Sequence, residues 1–335
     1  MQIEREVVVI TGASAGIGRA TARLYGKRRA KVGLIARGIE GLEAAKREIE
    51  ELGGEALVLP LDVADHDALE AAAARVEETF GPIDVWINNA MLSVFSPIME
   101  MTPDDYRRVT EVTYLGYVWG TLVALRRMKP RDRGTIVQVG SALAYRGIPL
   151  QSAYCAAKHA VQGFHDSLLS ELIHDGSKVK VVMVQMPAVN TPQFRWVKSR
   201  LPRKAQPVPP IFQPEMAADA ILWAAHSDRR EVNVGWPASK AIVGNNFFPG
   251  YGDRYLAKNG YEAQMVDEPE DPNRPNNLYE PLPGDAGAHG VFDAEARDVS
   301  IEMELNKRRP WLLAGATAGL ALLLLKGSRA RKRVE

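Results

Sequence analysis

The stretch Val7–Gly18, VVVITGASAGIG, decides the architecture. Four β-branched residues in succession read as a strand buried on both faces. Gly12, Gly16 and Gly18 follow where such a strand must turn tightly into a helix, with Ser14 and Ile17 completing the turn. Without side chains the backbone can approach a ligand closely, and the free N–H groups of the helix start favour a diphosphate. The next apolar run, Lys31–Ala36, ends at Arg37. A carboxylate at this strand end suits ribose hydroxyls, whereas a cation suits the 2′-phosphate of NADP. Arg37 therefore favours NADP (NADPH), with NAD the less favoured choice.

Outward from this unit, short apolar runs alternate with helical spacing for about 235 residues. Strands are expected near Val7–Ile10, Lys31–Ala36, Glu55–Pro60, Asp84–Asn88, Thr135–Gly140, Lys180–Met186 and Glu231–Val234. Helices are expected over Ile17–Lys27, Ile39–Leu52, His66–Phe80, Pro103–Met128, Ser152–His174 and Pro214–His226. That alternation implies an α/β fold, a doubly wound parallel sheet covered on both faces.

Chemistry concentrates in GSALAYRGIPLQSAYCAAKHA. Ser141 ends a strand, and Tyr154 and Lys158 stand four apart, on one face of a helix. Reducing a carbonyl requires hydride and a proton. A tyrosine can donate that proton, but its ordinary pKa of about 10 makes it a poor base for the reverse reaction. A nearby ammonium is expected to lower it, and a serine hydroxyl can orient the substrate oxygen.

Several motifs in order resemble the short-chain dehydrogenase/reductase family across about residues 5–240. TGASAGIG is similar to its cofactor turn, Asp62 in LDV to its adenine contact, and Asn88–Ala90, with Asn89 at the cofactor, to its central-strand motif. Ser141, Tyr154 and Lys158 fall at its catalytic spacing, and Pro187 and Thr191 resemble the loop over the nicotinamide. The resemblance implies a seven-stranded Rossmann-type sheet. It also implies a homo-oligomer built on the two long helices. This chain departs from the family where VTYLG replaces VNxxG, placing Thr113 at the fourth catalytic position, and where Met91 replaces a glycine.

Composition sets the frame. The chain has 335 residues and a net charge of +1, so no global field recruits nucleic acid. A single cysteine, Cys155, fits a reducing compartment and reads as a packed small residue rather than a nucleophile. Glu4, Arg5 and Glu6 interrupt any secretory leader, so a cytoplasmic setting is expected. His159, His165 and His174 lack ligand spacing, and no metal is expected.

Residues 1–240 are read as the catalytic domain and 241–306 as an extended acidic, proline-rich arm. Residues 307–335 are read as an apolar terminal helix with basic flanks. Trp311–Leu325 holds fifteen uncharged residues, about 22 Å of helix, short of a full span of about 20 residues. Membrane contact through 311–325 is expected, beside the alternative that this helix covers another apolar surface. Thr191–Phe212 reads as a substrate lid. Phe194, Trp196 and Phe212 could wall a pocket for a bulky or lipid-like carbonyl or alcohol. Arg195, Lys198, Arg200, Arg203 and Lys204 could meet an anion or form a solvated face. The leading expectation is an NADP-dependent oxidoreductase. Its alternative is a catalytically weak nucleotide-binding or membrane-attached regulatory protein.

Overall fold

Alternation along single strands explains how the sheet is held. In the computed structural model, which describes residues 5–308, every residue of β1 (Val7–Thr11) is buried. Val8 and Ile10 enter one apolar layer with Tyr25, Leu42 and Ile221. Val7 and Val9 enter the opposite one with Leu69, Val76 and Trp86. A period of two sends successive side chains to opposite faces, so a strand covered on both sides is apolar throughout. Each fully buried Ile or Leu in these layers contributes about 1.5–3 kcal/mol.

After β1 come α1 (Gly16–Lys27), β2 (Lys31–Ala36), α2 (Ile39–Glu51), β3 (Glu55–Pro60), α3 (His66–Phe80), β4 (Val85–Asn88) and β5 (Val94–Phe95). The middle of the chain supplies α4 (Pro103–Thr110), α5 (Gly116–Met128), β6 (Thr135–Ser141), α6 (Ser152–His174) and β7 (Lys180–Met186). Then follow α7 (Gln193–Trp196), β8 (Lys198–Ser199), β9 (Arg203–Ala205), α8 (Pro214–Ala225), β10 (Glu231–Asn233), α9 (Trp236–Phe247), α10 (Pro249–Asn259) and β11 (Met265–Pro269). The main sheet has seven strands in the order β10-β7-β6-β4-β1-β2-β3, paired in parallel. Strand order reverses between β1 and β4, where open α/β sheets leave a ligand crevice at the carboxyl ends. This is the Rossmann-type sheet that the sequence implies.

Two elements differ from expectation. The single helix expected over Pro103–Met128 is interrupted by a π turn at Glu111–Leu115, an insertion invisible to a 3.6-residue pattern. The supposed extended arm at 241–306 starts inside a helical pair, α9 and α10. Pro237 and Pro249 sit in their first turns, where a missing N–H is tolerated. Val243, Phe247, Phe248 and Tyr251 are exposed; α9 buries Ala238 and Ile242 and α10 no residue, too short a stripe to announce these helices.

Beyond β11 the chain is irregular but pinned, with Leu278, Ala288 and Phe292 buried. Residues 301–308 are helical, burying Met303 in the layer that contains Met216 and Ile221. Trp311–Leu325 lies outside the described residues. Among the described residues no helix is long and apolar enough to cross a membrane.

The segment after β7 is tied at two edges. β8 pairs in parallel with β5, and β9 pairs antiparallel with β11. Lys198 and Arg200 both reach Asp105, at 2.7 and 2.6 Å. Asp105 is itself buried at the capping box of α4, and these two cations hold its carboxyl down to about 2 against the opposing effect of burial.

Candidate active site

Strand ends assemble one cavity of about 1010 Å³. The turn after β1 gives it Gly12, Ser14, Gly16 and Ile17, and the ends of β2 and β3 give Arg37 and Asp62. Asn89 comes from the end of β4, Ser141 from β6, and Pro187 and Thr191 from the loop after β7. Tyr154 and Lys158 face it from α6. Of the catalytic and cofactor-binding residues expected from sequence, Gly18 and Thr113 do not line it.

Gly18 nonetheless shapes the turn, because a Cβ there would overlap the carbonyl oxygen of Gly12. Gly16 has a left-handed φ of 56°, which a side chain would strain. Asn89 braces the turn from below. Its side-chain amide donates to the carbonyl of Thr11 at 3.0 Å, while its own N–H reaches the Thr11 hydroxyl at 2.9 Å. The turn is thus stapled to the end of β4.

Lys158 is buried. Its Nζ donates to the carbonyl of Val139 at 2.7 Å and to the phenol oxygen of Tyr117 at 3.0 Å, and lies 5.7 Å from the Tyr154 ring centre. Burial pulls its pKa down to about 7. Burial also raises the Tyr154 phenol, with the Ser141 hydroxyl acting the other way. The expected tuning is therefore corrected. The ammonium is turned to Val139 and Tyr117, and burial holds the phenol protonated, as a proton donor must be.

Thr113 also differs from expectation. It is buried, accepts from the N–H of Leu92 and donates to the Leu92 carbonyl, each at 2.9 Å. The donor and one acceptor position of the hydroxyl are engaged in locking the loop after β4.

A family model for short chain dehydrogenases matches residues 6–201. The chain belongs to the short-chain dehydrogenase/reductase family. It is 32% identical over 323 residues to the uncharacterized oxidoreductase YxnA of Bacillus subtilis, covering 95% of this chain and 90% of that protein. Human dehydrogenase/reductase SDR family member 7 is 42% identical over 170 residues, half of each chain. Among solved structures, a metagenomic short-chain oxidoreductase in complex with NADP is similar with a TM-score of 0.57 and 30% identity, covering 68% of this chain and 96% of that one. An alcohol dehydrogenase from Thermococcus sibiricus, complexed with 5-hydroxy-NADP, has a TM-score of 0.59 and 28% identity, covering 69% and 95%.

As a short-chain dehydrogenase/reductase, this protein is an NAD(P)-dependent oxidoreductase acting on small-molecule alcohol/carbonyl pairs. The residues present fit such a dinucleotide. The N–H groups of Ile17 and Gly18 at the start of α1, and the Nε–H of Arg37, have no protein partner among the described residues.

Tyr117, the partner of Lys158, escaped the sequence reading. Its one signal was an aromatic in the helix face that follows VTYLG. The aromatic rim also escaped it: Phe248, Tyr251 and Tyr255 of α9–α10 line the cavity with Phe194 and Trp196. Phe212 is buried in the main core instead. The lid cations are paired. Arg195 reaches the Gly290 carbonyl, Lys198 and Arg200 reach Asp105, and Arg203 and Lys204 reach Glu262 and Glu268.

Cys155 is buried, and burial raises its thiol pKa, as a packed residue requires. The described residues contain no cluster of groups able to hold a metal.

Proposed function

We propose that this oxidoreductase is an NADP(H)-dependent carbonyl reductase/alcohol dehydrogenase in which Tyr154 moves the proton. The observation that carries the reading is the single cavity joining the glycine turn and Arg37 to Ser141, Tyr154 and Lys158. Gly12, Ser14, Gly16, Ile17 and Gly18 would hold the diphosphate, Asp62 the adenine, Arg37 the 2′-phosphate, and Asn89, Lys158, Pro187 and Thr191 the nicotinamide half. When bound, NADPH supplies hydride to the substrate carbon.

Ser141 donates a hydrogen bond to the substrate oxygen and orients it. Tyr154 gives up its phenolic proton to that oxygen as negative charge develops there. Lys158, positively charged beneath the phenol, stabilises the phenolate left behind. Tyr117 holds Lys158 in place, while Thr113 is committed to Leu92. The apolar rim of Phe194, Trp196, Phe248, Tyr251 and Tyr255 suits a bulky, weakly polar carbonyl. Residues 1–240 carry this chemistry, and the chain pairs with a second copy through α4–α5 and α6. The segment 311–325 attaches it to a membrane.

Tyr154→Phe keeps the ring and removes the proton donor. NADPH oxidation against a panel of bulky ketones should collapse in this variant while NADPH binding persists. Full turnover in Tyr154→Phe overturns the mechanism.

A further inference from the structure

The segment from Asn277 to Gly287 runs across the mouth of the dinucleotide groove. The Arg37 guanidinium donates to the backbone carbonyls of Asn277 and Tyr279, each at 2.6 Å, and more distantly to that of Leu278 at 3.4 Å. The Leu278 carbonyl also accepts from Arg108 at 3.0 Å, and Arg108 pairs with Asp62. Asp285 pairs with the buried Arg19 at 3.3 Å, and the Gly284 N–H reaches Glu40. The Gly287 carbonyl accepts from the N–H of Gly16 at 3.1 Å. Leu278 is buried, and Pro281, Leu282, Gly284 and Ala286 face the same cavity as Ser14 and Ile17.

These contacts stop at the rim. The segment takes the N–H of Gly16 but leaves those of Ile17 and Gly18, and it takes the terminal nitrogens of Arg37 but leaves Nε–H. The N–H groups of Ile17 and Gly18 and the Nε–H of Arg37 stay open beneath it, over a cavity of about 1010 Å³. A plug would have consumed those donors and filled that volume. This arrangement is a roof.

We propose that residues 277–287 are a strap that completes the cofactor site by closing over the adenosine half of NADP(H), so that the dinucleotide enters and leaves only when the strap lifts. This rests on the reading of the groove as an NADP(H) site. The strap lies beyond residue 201, where the family match ends. It forms no sheet ladder of its own and has one fully buried apolar anchor, Leu278; the rest is held by hydrogen bonds and one ion pair, the kind of attachment that opens locally without unfolding the core.

A reversible lock tests it. A Cβ built on Gly38 lies 3.5 Å from the Cβ of Pro281, within the range of about 3.5–4.5 Å that a disulfide spans. Gly38 has an ordinary φ of −80°, so a cysteine fits there without strain. In the full chain carrying Gly38→Cys and Pro281→Cys, binding and release are followed by NADPH fluorescence in stopped flow. The reduced form of this variant sets the reference rates of NADPH uptake and release. Oxidised empty, the variant should take up NADPH at least about tenfold more slowly. Oxidised after loading, it should retain NADPH through gel filtration and release it on adding dithiothreitol.

Exchange at the reduced form's rate in the oxidised protein overturns the strap while leaving the cofactor assignment standing. So does a loaded protein that cannot be locked, which would make the segment a plug. Failure of the parent itself to bind NADPH overturns both readings. Should the double variant not fold, hydrogen exchange on the parent decides. Amides of 277–287 should exchange more slowly once NADPH is bound, and an unchanged rate overturns the strap.

Discussion

Lys158 donates to the phenol oxygen of Tyr117 at 3.0 Å, and that same phenol donates to the Val139 carbonyl at 2.9 Å. The two side chains come from different helices, α6 and α5, and share one backbone acceptor at the end of β6. Tyr117→Phe removes one acceptor from a buried ammonium. A hydrogen bond to a charged group is worth about 1.5–3 kcal/mol, so the Lys158 pKa should fall from about 7 by about one unit or more. The alkaline limb of the kcat/KM profile for reduction should move to lower pH by that amount, with NADPH affinity little changed. An unmoved limb would refute the support role of Tyr117.

Arg37 joins two tasks, facing the cofactor groove and holding the carbonyls of 277–279. Arg37→Ala should lower the NADPH-to-NADH affinity ratio about ten- to hundredfold, the value of a charge-assisted phosphate contact. NADH affinity should fall modestly as well, because the overlying segment loses its anchor. Titration of the parent by fluorescence comes first, since equal affinities there would remove the basis for NADP preference.

His165 is fully buried on α6, and neither ring nitrogen has a hydrogen-bond partner among the described residues. Burial, aided by the Arg230 charge, pushes its pKa from 6.5 down to about 4. Its unfolded form therefore binds the proton more readily. Stability should rise with pH from about 4 to about 6.5 and be lost as pH falls through that window, by about 3 kcal/mol at most. In His165→Phe this part of the dependence should vanish from urea midpoints measured across the range. A slope retained in the variant would assign it to other groups.

Thr113 is bonded twice to Leu92. Thr113→Val leaves a buried N–H and a buried carbonyl without partners and should cost about 1–3 kcal/mol. Thr113→Asn should also destabilise, because the larger amide has no room at a fully buried position, and should not raise turnover. Higher kcat in Thr113→Asn would place the residue back in the proton path.

The strands of the main sheet were legible because residues such as Val7–Ile10 and Val181–Val184 are buried on both faces and leave an unbroken apolar signal. The glycine turn and the Ser141, Tyr154 and Lys158 trio were legible through spacing, and the fold brings them to one cavity. What the sequence hid depends on partners distant in the chain. Asn277–Tyr279 read as loose polar chain because only the Arg37 and Arg108 guanidinia, far upstream, satisfy its carbonyls. Tyr117 is an ordinary helix aromatic until α6 sets Lys158 against it. Phe248 and Tyr251 carry no stripe because their helices rest on a cavity instead of a core.

The double tether of the segment after β7 bears on how substrate choice can be altered. β8 is zipped to β5 and β9 to β11, while Lys198 and Arg200 converge on Asp105 at the start of α4. The shape of that segment is thus written jointly by parts of the chain more than 150 residues apart. A graft of residues 191–212 into a relative lacking the two matching edge strands and the carboxylate would arrive without its mould. Retargeting this enzyme calls for exchanging the segment together with β5, β11 and Asp105 as one cassette.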